Sequence, residues 1–181
     1  MTETDSKQED LRLAAEAKKD LRAFKAIYLK YVQPVYRYTL SHTGSREEAE
    51  DATAQTFLAA IESFGRYRED GRFGAWLFTI ARRKAMDALR GRGKSSPLED
   101  DFPAPEKDPL REVEQRERLA GLAKMLGRLS ADEQELLRLR FAAELGFAEI
   151  AGMLKLSEDA VKKRYYRLLA QLQERMEGNH D

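Results

Sequence analysis

The chain has 181 residues, enough for one domain or two small ones, and 42% of them are hydrophobic. Its 32 basic and 32 acidic residues cancel, so only local charge patterns can indicate a partner. The lack of cysteine excludes disulfides and thiolate metal sites, and the scarcity of glycine (11) and proline (5) favours helices throughout.

Residues 1–19 are interpreted as a polar N-terminal tail, because they begin with an acidic stretch that has no apolar centre for a signal peptide. No segment of the chain approaches the roughly 20 apolar residues that a membrane helix needs. We therefore expect a soluble, cytoplasmic protein without membrane insertion.

A first helical domain is predicted over residues 20–92. Apolar residues from Leu21 to Val32 recur at helical spacing, and Pro34 should break or kink that helix. Ser45 and Glu48 form a capping-box pattern that opens a helix with an acidic outer face. A further helix begins near Phe73, and its second half is strongly basic.

Residues 93–109 are rich in Gly, Ser, Pro and acidic residues, which is typical of a flexible linker. A second helical domain is predicted over 110–176, with Asp108-Pro109 as its start signal, and a short tail over 177–181. Ser130 and Glu133 form a second capping-box pattern. The predicted fold class is all-α, with two small domains.

A helix-turn-helix pattern is present in the second domain. A short helix ending near Leu154 and a connection over Lys155–Ser157 precede a longer helix. In this motif the second helix enters the major groove by its N-terminal end, where this chain is rich in Lys and Arg. A solvated charged helix face is the alternative interpretation, and the upstream helix and turn favour DNA binding.

Two patterns in the first domain are weaker. Trp76 and its aromatic neighbours lie just ahead of a basic run, which suits single-stranded nucleic acid, although Phe73 and Trp76 at helical spacing also suit a hydrophobic core. The acidic face from Glu47 to Gln55 is either a solvated surface or a protein-docking patch.

The motifs together resemble those of bacterial extracytoplasmic-function (ECF) sigma factors of the sigma-70 family. Their domain 2 is similar to residues 47–58, EEAEDATAQTFL, and to residues 73–90, FGAWLFTIARRKAMDALR. Their domain 4 is similar to residues 129–141, LSADEQELLRLRF, followed by IAGMLKLS at 150–157 and VKKR at 161–164. The resemblance covers about residues 20–175, in the order that the family has.

The resemblance implies three groups of binding residues and, as partners, core RNA polymerase and promoter DNA, both duplex and single-stranded. Those implied for core polymerase are Glu50, Asp51, Gln55 and Phe57. Those implied for the −10 element are Phe73, Trp76, Arg82, Arg83, Lys84 and Arg90. Those implied for the −35 element are Ser157, Glu158, Lys162, Lys163, Arg164, Tyr166 and Arg167. An anti-sigma factor is a further family expectation; no catalytic residue, metal or cofactor is expected.

The chain departs from the family pattern at four positions. Ala54 and Gln55 stand where the family has polar and charged residues, and Arg83 stands where asparagine is common. Lys155 replaces a frequent turn glycine, and we expect it to adopt the left-handed conformation at a cost of about 1 kcal/mol.

Two other functions compete with a sigma factor. A conventional helix-turn-helix regulator would bind operator DNA without polymerase and use residues 20–92 for sensing or dimerisation. An enzyme is poorly supported, because the chain has only two histidines, His42 and His180, and lacks a phosphate-binding glycine loop. His42 is interpreted as a surface residue at a helix end.

Overall fold

The computed structural model describes residues 3–68, 71–91 and 120–177, and every regular element in these ranges is helical. The predicted all-α class is confirmed. The linker over 93–109, the start signal Asp108-Pro109 and almost all of the 177–181 tail lie outside the described residues. The four N-terminal helices are α1 (Glu3–Lys19), α2 (Phe24–Thr43), α3 (Arg46–Ser63) and α4 (Phe73–Gly91). We call the described residues 3–91 the first domain and 120–177 the second domain.

The second domain begins with a helical segment at residues 120–127. It continues with α5 (Ala131–Leu137), which runs into a π-helical turn over Arg138–Ala142. The helix-turn-helix pair follows as α6 (Phe147–Leu154) and α7 (Glu158–Glu177). None of the helices in the described ranges is long and apolar enough to cross a membrane.

The N-terminus differs from the predicted polar tail. Residues Glu3–Lys19 form α1, and its Leu13, Ala14 and Ala17 are buried against the first domain. Asp10 is also buried, where it accepts a hydrogen bond from Tyr31 Oη at 2.6 Å and pairs with Lys30 Nζ at 2.8 Å. Small alanines and a satisfied aspartate thus form the inner face of a helix whose composition is mostly polar.

The predicted break at Pro34 is wrong, because α2 continues through Pro34 from Phe24 to Thr43. Proline removes one backbone hydrogen bond. Its neighbours Tyr31, Val35 and Tyr38 are buried on both sides of it, so core packing holds the helix together across the missing bond.

Local capping chemistry was predicted correctly at most helix ends. Gly44 ends α2 in the left-handed conformation (φ 64°), and Ser45 accepts the Glu48 amide at the start of α3. Ser130 and Glu133 form the complete, reciprocal capping box at the start of α5.

The two domains pack against each other and share one hydrophobic core. That core joins residues of α2 and α4, such as Tyr38 and Phe78, to residues of the second domain, such as Leu136 and Leu139. A smaller cluster around Leu129, Leu168 and Leu172 lies within the second domain alone. The sequence predicts two separate domains joined by a flexible linker. In the structure, the two domains are in contact.

Candidate nucleic-acid interface

A basic groove lies between α3 and α4. Its charged lining consists of three cations, Arg66, Arg83 and Lys84, and one acid, Glu62. The groove has a volume of about 430 Å³, with Ser63, Thr79 and Ile80 among its walls. Cations on the rim of a partly apolar groove suit a nucleic-acid strand, because they hold phosphates while the walls contact bases.

The aromatic residues near this groove divide into buried and half-buried ones. Phe73 is 1% exposed, with Tyr31 and Tyr67 rings 5.4 and 5.3 Å from its ring centre, so it belongs to the core. The core alternative that its helical spacing allowed is therefore the one found, and its part in −10 binding stays a prediction. Trp76 is only half-buried, 5.1 Å from the Tyr67 ring.

The helix-turn-helix is built as the sequence predicts. Lys155 ends α6 in the left-handed conformation (φ 56°, ψ 42°), and the Leu156 amide donates to Ala151 O at 3.0 Å. Ser157 then accepts the Ala160 amide at 3.2 Å and caps α7. Val161, Tyr165 and Leu168 are buried beneath α7, so the register of the helix in the motif is fixed.

The opposite face of α7 is polar and largely basic. Lys163, Tyr166 and Arg167 are exposed, and the Tyr166 side chain lies beside the Phe147 ring at 6.1 Å. Lys162 pairs with Glu158 at 2.6 Å, and Arg164 lies 3.7 Å from Asp132. Ser157 therefore acts as the helix cap, and Glu158 orients a neighbouring lysine near the N-terminal end of the helix.

A third surface is the outer face of α3. Asp51 accepts a hydrogen bond from Gln55 at 2.7 Å, and Glu50 pairs with Arg46 at 2.9 Å. Phe57 is only 4% exposed and packs edge-on against Tyr28 at 4.8 Å, so it supports α3 from inside, as its place on the apolar side of the helix predicts. Its role in polymerase binding stays a prediction.

The sequence predicts that Leu58 is buried together with Phe57, and for Leu58 this prediction is wrong. Leu58 follows Asp51 by seven residues on the same helical face and is 61% exposed. The helical spacing from Asp51 was the signal that could have found it. Asp51, Gln55 and Leu58 are called the α3 face below.

Comparison with known proteins gives the family. Residues 27–95 match sigma-70 region 2, and residues 119–172 match sigma-70 region 4. The chain is 30% identical to the ECF RNA polymerase sigma factor SigM of Bacillus subtilis, over 78% of this chain and 87% of SigM. This chain belongs to the ECF sigma factors. The family binds core RNA polymerase and directs transcription initiation from promoters.

Two further relatives agree with this assignment. The ECF sigma factor BldN of Streptomyces coelicolor is 36% identical over 83% of this chain, which spans 59% of BldN. The structure of CnrH in complex with the cytosolic domain of CnrY has a TM-score of 0.68 and 26% identity, covering 93% of this chain and 97% of CnrH.

In this ECF sigma factor, one cation of α4 faces the second domain instead of the groove. Arg82 Nε lies 3.1 Å from Glu135 Oε1, which also accepts a hydrogen bond from Tyr38 Oη at 2.7 Å. His42 Nε2 lies 3.1 Å from the other oxygen, Oε2. We call Glu135, Tyr38, His42 and Arg82 the carboxylate cluster. His42 is 3% exposed in its side chain, so its interpretation as a surface residue is wrong.

The environment of Glu135 favours its charged form. Burial by itself raises the pKa of this carboxyl group, but the contacts with His42 and Tyr38 and the charges of His42 and Arg82 outweigh burial, so the pKa lies below that of an ordinary glutamate. Burial and the Glu135 charge raise the pKa of Tyr38, which keeps its phenol a donor. The cluster is therefore an anion held by donors from both α2 and α4.

The remaining predicted −10 residue, Arg90, lies in the last turn of α4, where it pairs with Asp87 at 3.2 Å and is exposed. The structure thus separates the predicted −10 residues. Arg83 and Lys84 line the groove, Arg82 faces Glu135, Phe73 is in the core, and Trp76 is half-buried beside the Tyr67 ring.

Proposed function

We propose that this ECF sigma factor reads a promoter with two surfaces on different domains. The exposed face of α7, with Lys163, Tyr166 and Arg167, binds the −35 element as duplex in the major groove. The groove at Arg83 and Lys84 binds the −10 strand once it becomes single. The α3 face docks on core RNA polymerase.

The observation that carries this proposal is the combination of a correctly built helix-turn-helix with a second, separate basic groove. Binding to duplex DNA needs one rigid helix that presents cations to the major groove of the DNA, and α7 is such a helix. A melted strand needs cations that hold its phosphates, which Arg83 and Lys84 provide in the groove, and Trp76 on the same helix is half-buried. A conventional operator-binding regulator has no use for the second surface.

Polymerase has to supply part of the energy of promoter melting. Unstacking costs about 1.4 kcal/mol per base-pair step, and base stacking on aromatic residues returns about 1–3 kcal/mol per base. With one half-buried tryptophan on α4, the chain alone offsets only a small part of that cost. A near-neutral chain should therefore act on DNA only as part of the holoenzyme.

A second protein partner is an anti-sigma factor. The support is that CnrH, which covers nearly all of this chain, was solved in complex with the cytosolic domain of CnrY. We place the protein in the cytoplasm, where core polymerase works, and assign it no catalytic reaction of its own.

The test is a pull-down with purified bacterial core polymerase, followed by transcription from a genomic fragment library. We expect a stable complex and transcripts with new start sites that share one −35 and one −10 sequence. Failure to bind polymerase, with tight binding of the protein alone to palindromic duplex, would instead support a conventional regulator.

A further inference from the structure

The exposed face of α7 carries an aromatic side chain among its cations. Tyr166 is 60% exposed, and Lys163 one turn earlier and the next residue, Arg167, are exposed beside it. Lysine and arginine can neutralise phosphates whatever the base sequence, whereas an aromatic ring cannot. The Tyr166 ring therefore needs a different group on the DNA from the cations around it.

Tyr166 is held in place by an aromatic residue on the other helix of the motif. Phe147 is the first residue of α6 and is 8% exposed. Its ring centre lies 6.1 Å from that of Tyr166, with 48° between the ring planes. The Tyr165 ring lies 5.3 Å from Tyr166 at 74°. Because tilted and edge-on ring pairs at such distances attract each other, these two rings restrict the rotation of the exposed tyrosine.

Phe147 is itself fixed by contacts from three directions in the sequence. Arg140 Cζ lies 4.7 Å from the Phe147 ring centre, and Arg140 Nη1 donates to Leu145 O at 2.8 Å. Tyr165 packs edge-on against Phe147 at 5.3 Å, and Lys162 Nζ lies 6.0 Å from the same ring. A cation is attracted to a ring more strongly where water is excluded. Phe147 is therefore a rigid support beneath the face that α7 presents.

The major groove of DNA offers one apolar group to an aromatic ring. Base edges in this groove present hydrogen-bond donors and acceptors, and the 5-methyl group of thymine is their apolar feature. A recognition helix brings its exposed side chains against these edges. Contact between a ring and the methyl group removes both from water, and it distinguishes an A·T pair from a G·C pair.

We propose that the Tyr166 ring recognises a thymine of the −35 element through its methyl group, and that Phe147 is the positioning residue that holds the ring for this contact. The inference rests on the proposed function, because it requires α7 to lie in the major groove of the −35 duplex. The cations of α7 then supply affinity, and the aromatic pair supplies discrimination between bases. Phe147 acts only through Tyr166, since it is itself buried.

Deoxyuridine in place of thymine tests the contact, because it removes the methyl group and keeps the base pair. The probes are duplexes with the −35 element of a promoter found by transcription from the genomic library, each thymine being replaced in turn. Fluorescence anisotropy gives their affinity for the holoenzyme. We expect one replacement to weaken wild-type binding about fourfold, the effect of one methyl group that is no longer buried. Tyr166→Ala should bind the two probes equally, and Tyr166→Phe should keep the wild-type ratio.

The positioning role is tested at Phe147 with the same pair of probes. Phe147→Leu keeps an apolar side chain without the ring and should reduce the ratio to about twofold or less, whereas Phe147→Tyr should retain it. Adding Phe147→Leu to Tyr166→Ala should change the ratio no further. A purely structural loss in α6 would lower the affinity for both probes and leave their ratio unchanged. Lys163→Ala is the control, because a lost phosphate contact weakens both probes equally.

Two results would overturn the thymine contact: equal affinity of the wild type for the thymine probe and every deoxyuridine probe, and a ratio that persists in Tyr166→Ala. A −35 element without thymine on either strand would also overturn it. A ratio that Phe147→Leu leaves unchanged would refute the positioning role. Absence of wild-type transcripts would refute the proposed function and this inference with it, whereas transcripts together with equal probe affinities would refute this inference alone.

Discussion

The two DNA-binding surfaces of this sigma factor differ in how the fold presents them. The α7 surface is complete in the structure, because its apolar side is fixed by Val161, Tyr165 and Leu168 and its basic side is exposed. The α4 surface is divided, since Arg83 and Lys84 line an open groove whereas Arg82 is held by the second domain. The proposed duplex surface is therefore formed by one helix, whereas one cation next to the proposed strand surface is paired with the second domain.

The largest expected effect comes from the α7 surface. Replacing Lys162, Lys163 and Arg167 together with alanine should lower promoter-directed transcription about 100-fold, because each cation contributes a phosphate or base contact in the major groove. Affinity for core polymerase should stay within about twofold. Arg175→Ala, in the last turn of the same helix, is the control. An equal loss of polymerase binding would show that the division between the surfaces is wrong.

The groove on α4 should give the next largest effect. Arg83→Ala with Lys84→Ala should weaken binding of the holoenzyme to a single-stranded −10 oligonucleotide about tenfold, since two backbone cations are removed. Upstream duplex binding should be unchanged. Permanganate reactivity of thymines measures the melted region, and Lys19→Ala on α1 is the matched control. Unchanged melting would show that the groove does not bind the −10 strand.

The α3 face is the proposed docking surface for core polymerase. Asp51→Ala and Leu58→Ala together should weaken core binding about tenfold, because they remove a charge and an exposed apolar anchor. The helicity should not change, since neither side chain is buried. Phe57→Ala is unsuitable because it opens a core cavity, and Leu156→Ala in the second domain serves as the control for a lost exposed leucine. Normal polymerase affinity in the double variant would show that docking uses another face.

Acidic pH should weaken the contact between Glu135 of the second domain and Arg82 of α4. The pKa of Glu135 is depressed in the folded chain, so its contribution is present above the ordinary glutamate pKa and is lost as the pH falls through the lower, folded value. We expect a constant radius of gyration from pH 7 to about 5, and expansion below about pH 4. Glu135→Gln should be expanded already at pH 7. A wild-type radius that stays constant to pH 3 would contradict this assignment.

The smallest effect concerns the turn ahead of α7. Lys155→Gly should raise the free energy of unfolding by up to about 1 kcal/mol, because glycine adopts the left-handed conformation without strain. Lys163→Gly in the middle of α7 should lower it by about the same amount. Thermal unfolding monitored by circular dichroism gives both values. A loss of stability in Lys155→Gly would show that the lysine side chain makes a contribution beyond the turn.

Local chemistry allowed much of this structure to be predicted from the sequence. The Ser130–Glu133 capping box, the Ser157 cap and the left-handed Lys155 each depend on residues within a few positions of one another. The inward and outward faces of α7 followed from helical spacing in the same way. These features place the residues of the proposed −35 surface on the exposed side of α7.

The errors arose where residues distant in the chain decide the outcome. Tyr38 and Glu135 are 97 positions apart, so no local pattern could show that Glu135 reaches Arg82 or that His42 is buried. Leu58 was predicted to be buried with Phe57, but only Phe57 packs inside, against Tyr28, and Leu58 is exposed. The α1 helix was missed because its buried face is built mainly from alanines, whose apolar signal is weak.

The most direct test of the account is the distance between the two domains before and after polymerase binds. Because the chain has no cysteine, Lys25→Cys and Glu174→Cys in one chain can be labelled selectively for fluorescence energy transfer. The account predicts high transfer in the free protein, whose domains are in contact, and a clear decrease with core polymerase and promoter DNA, because the two surfaces then bind separate promoter elements. Unchanged high transfer in a complex that transcribes from a promoter would contradict it.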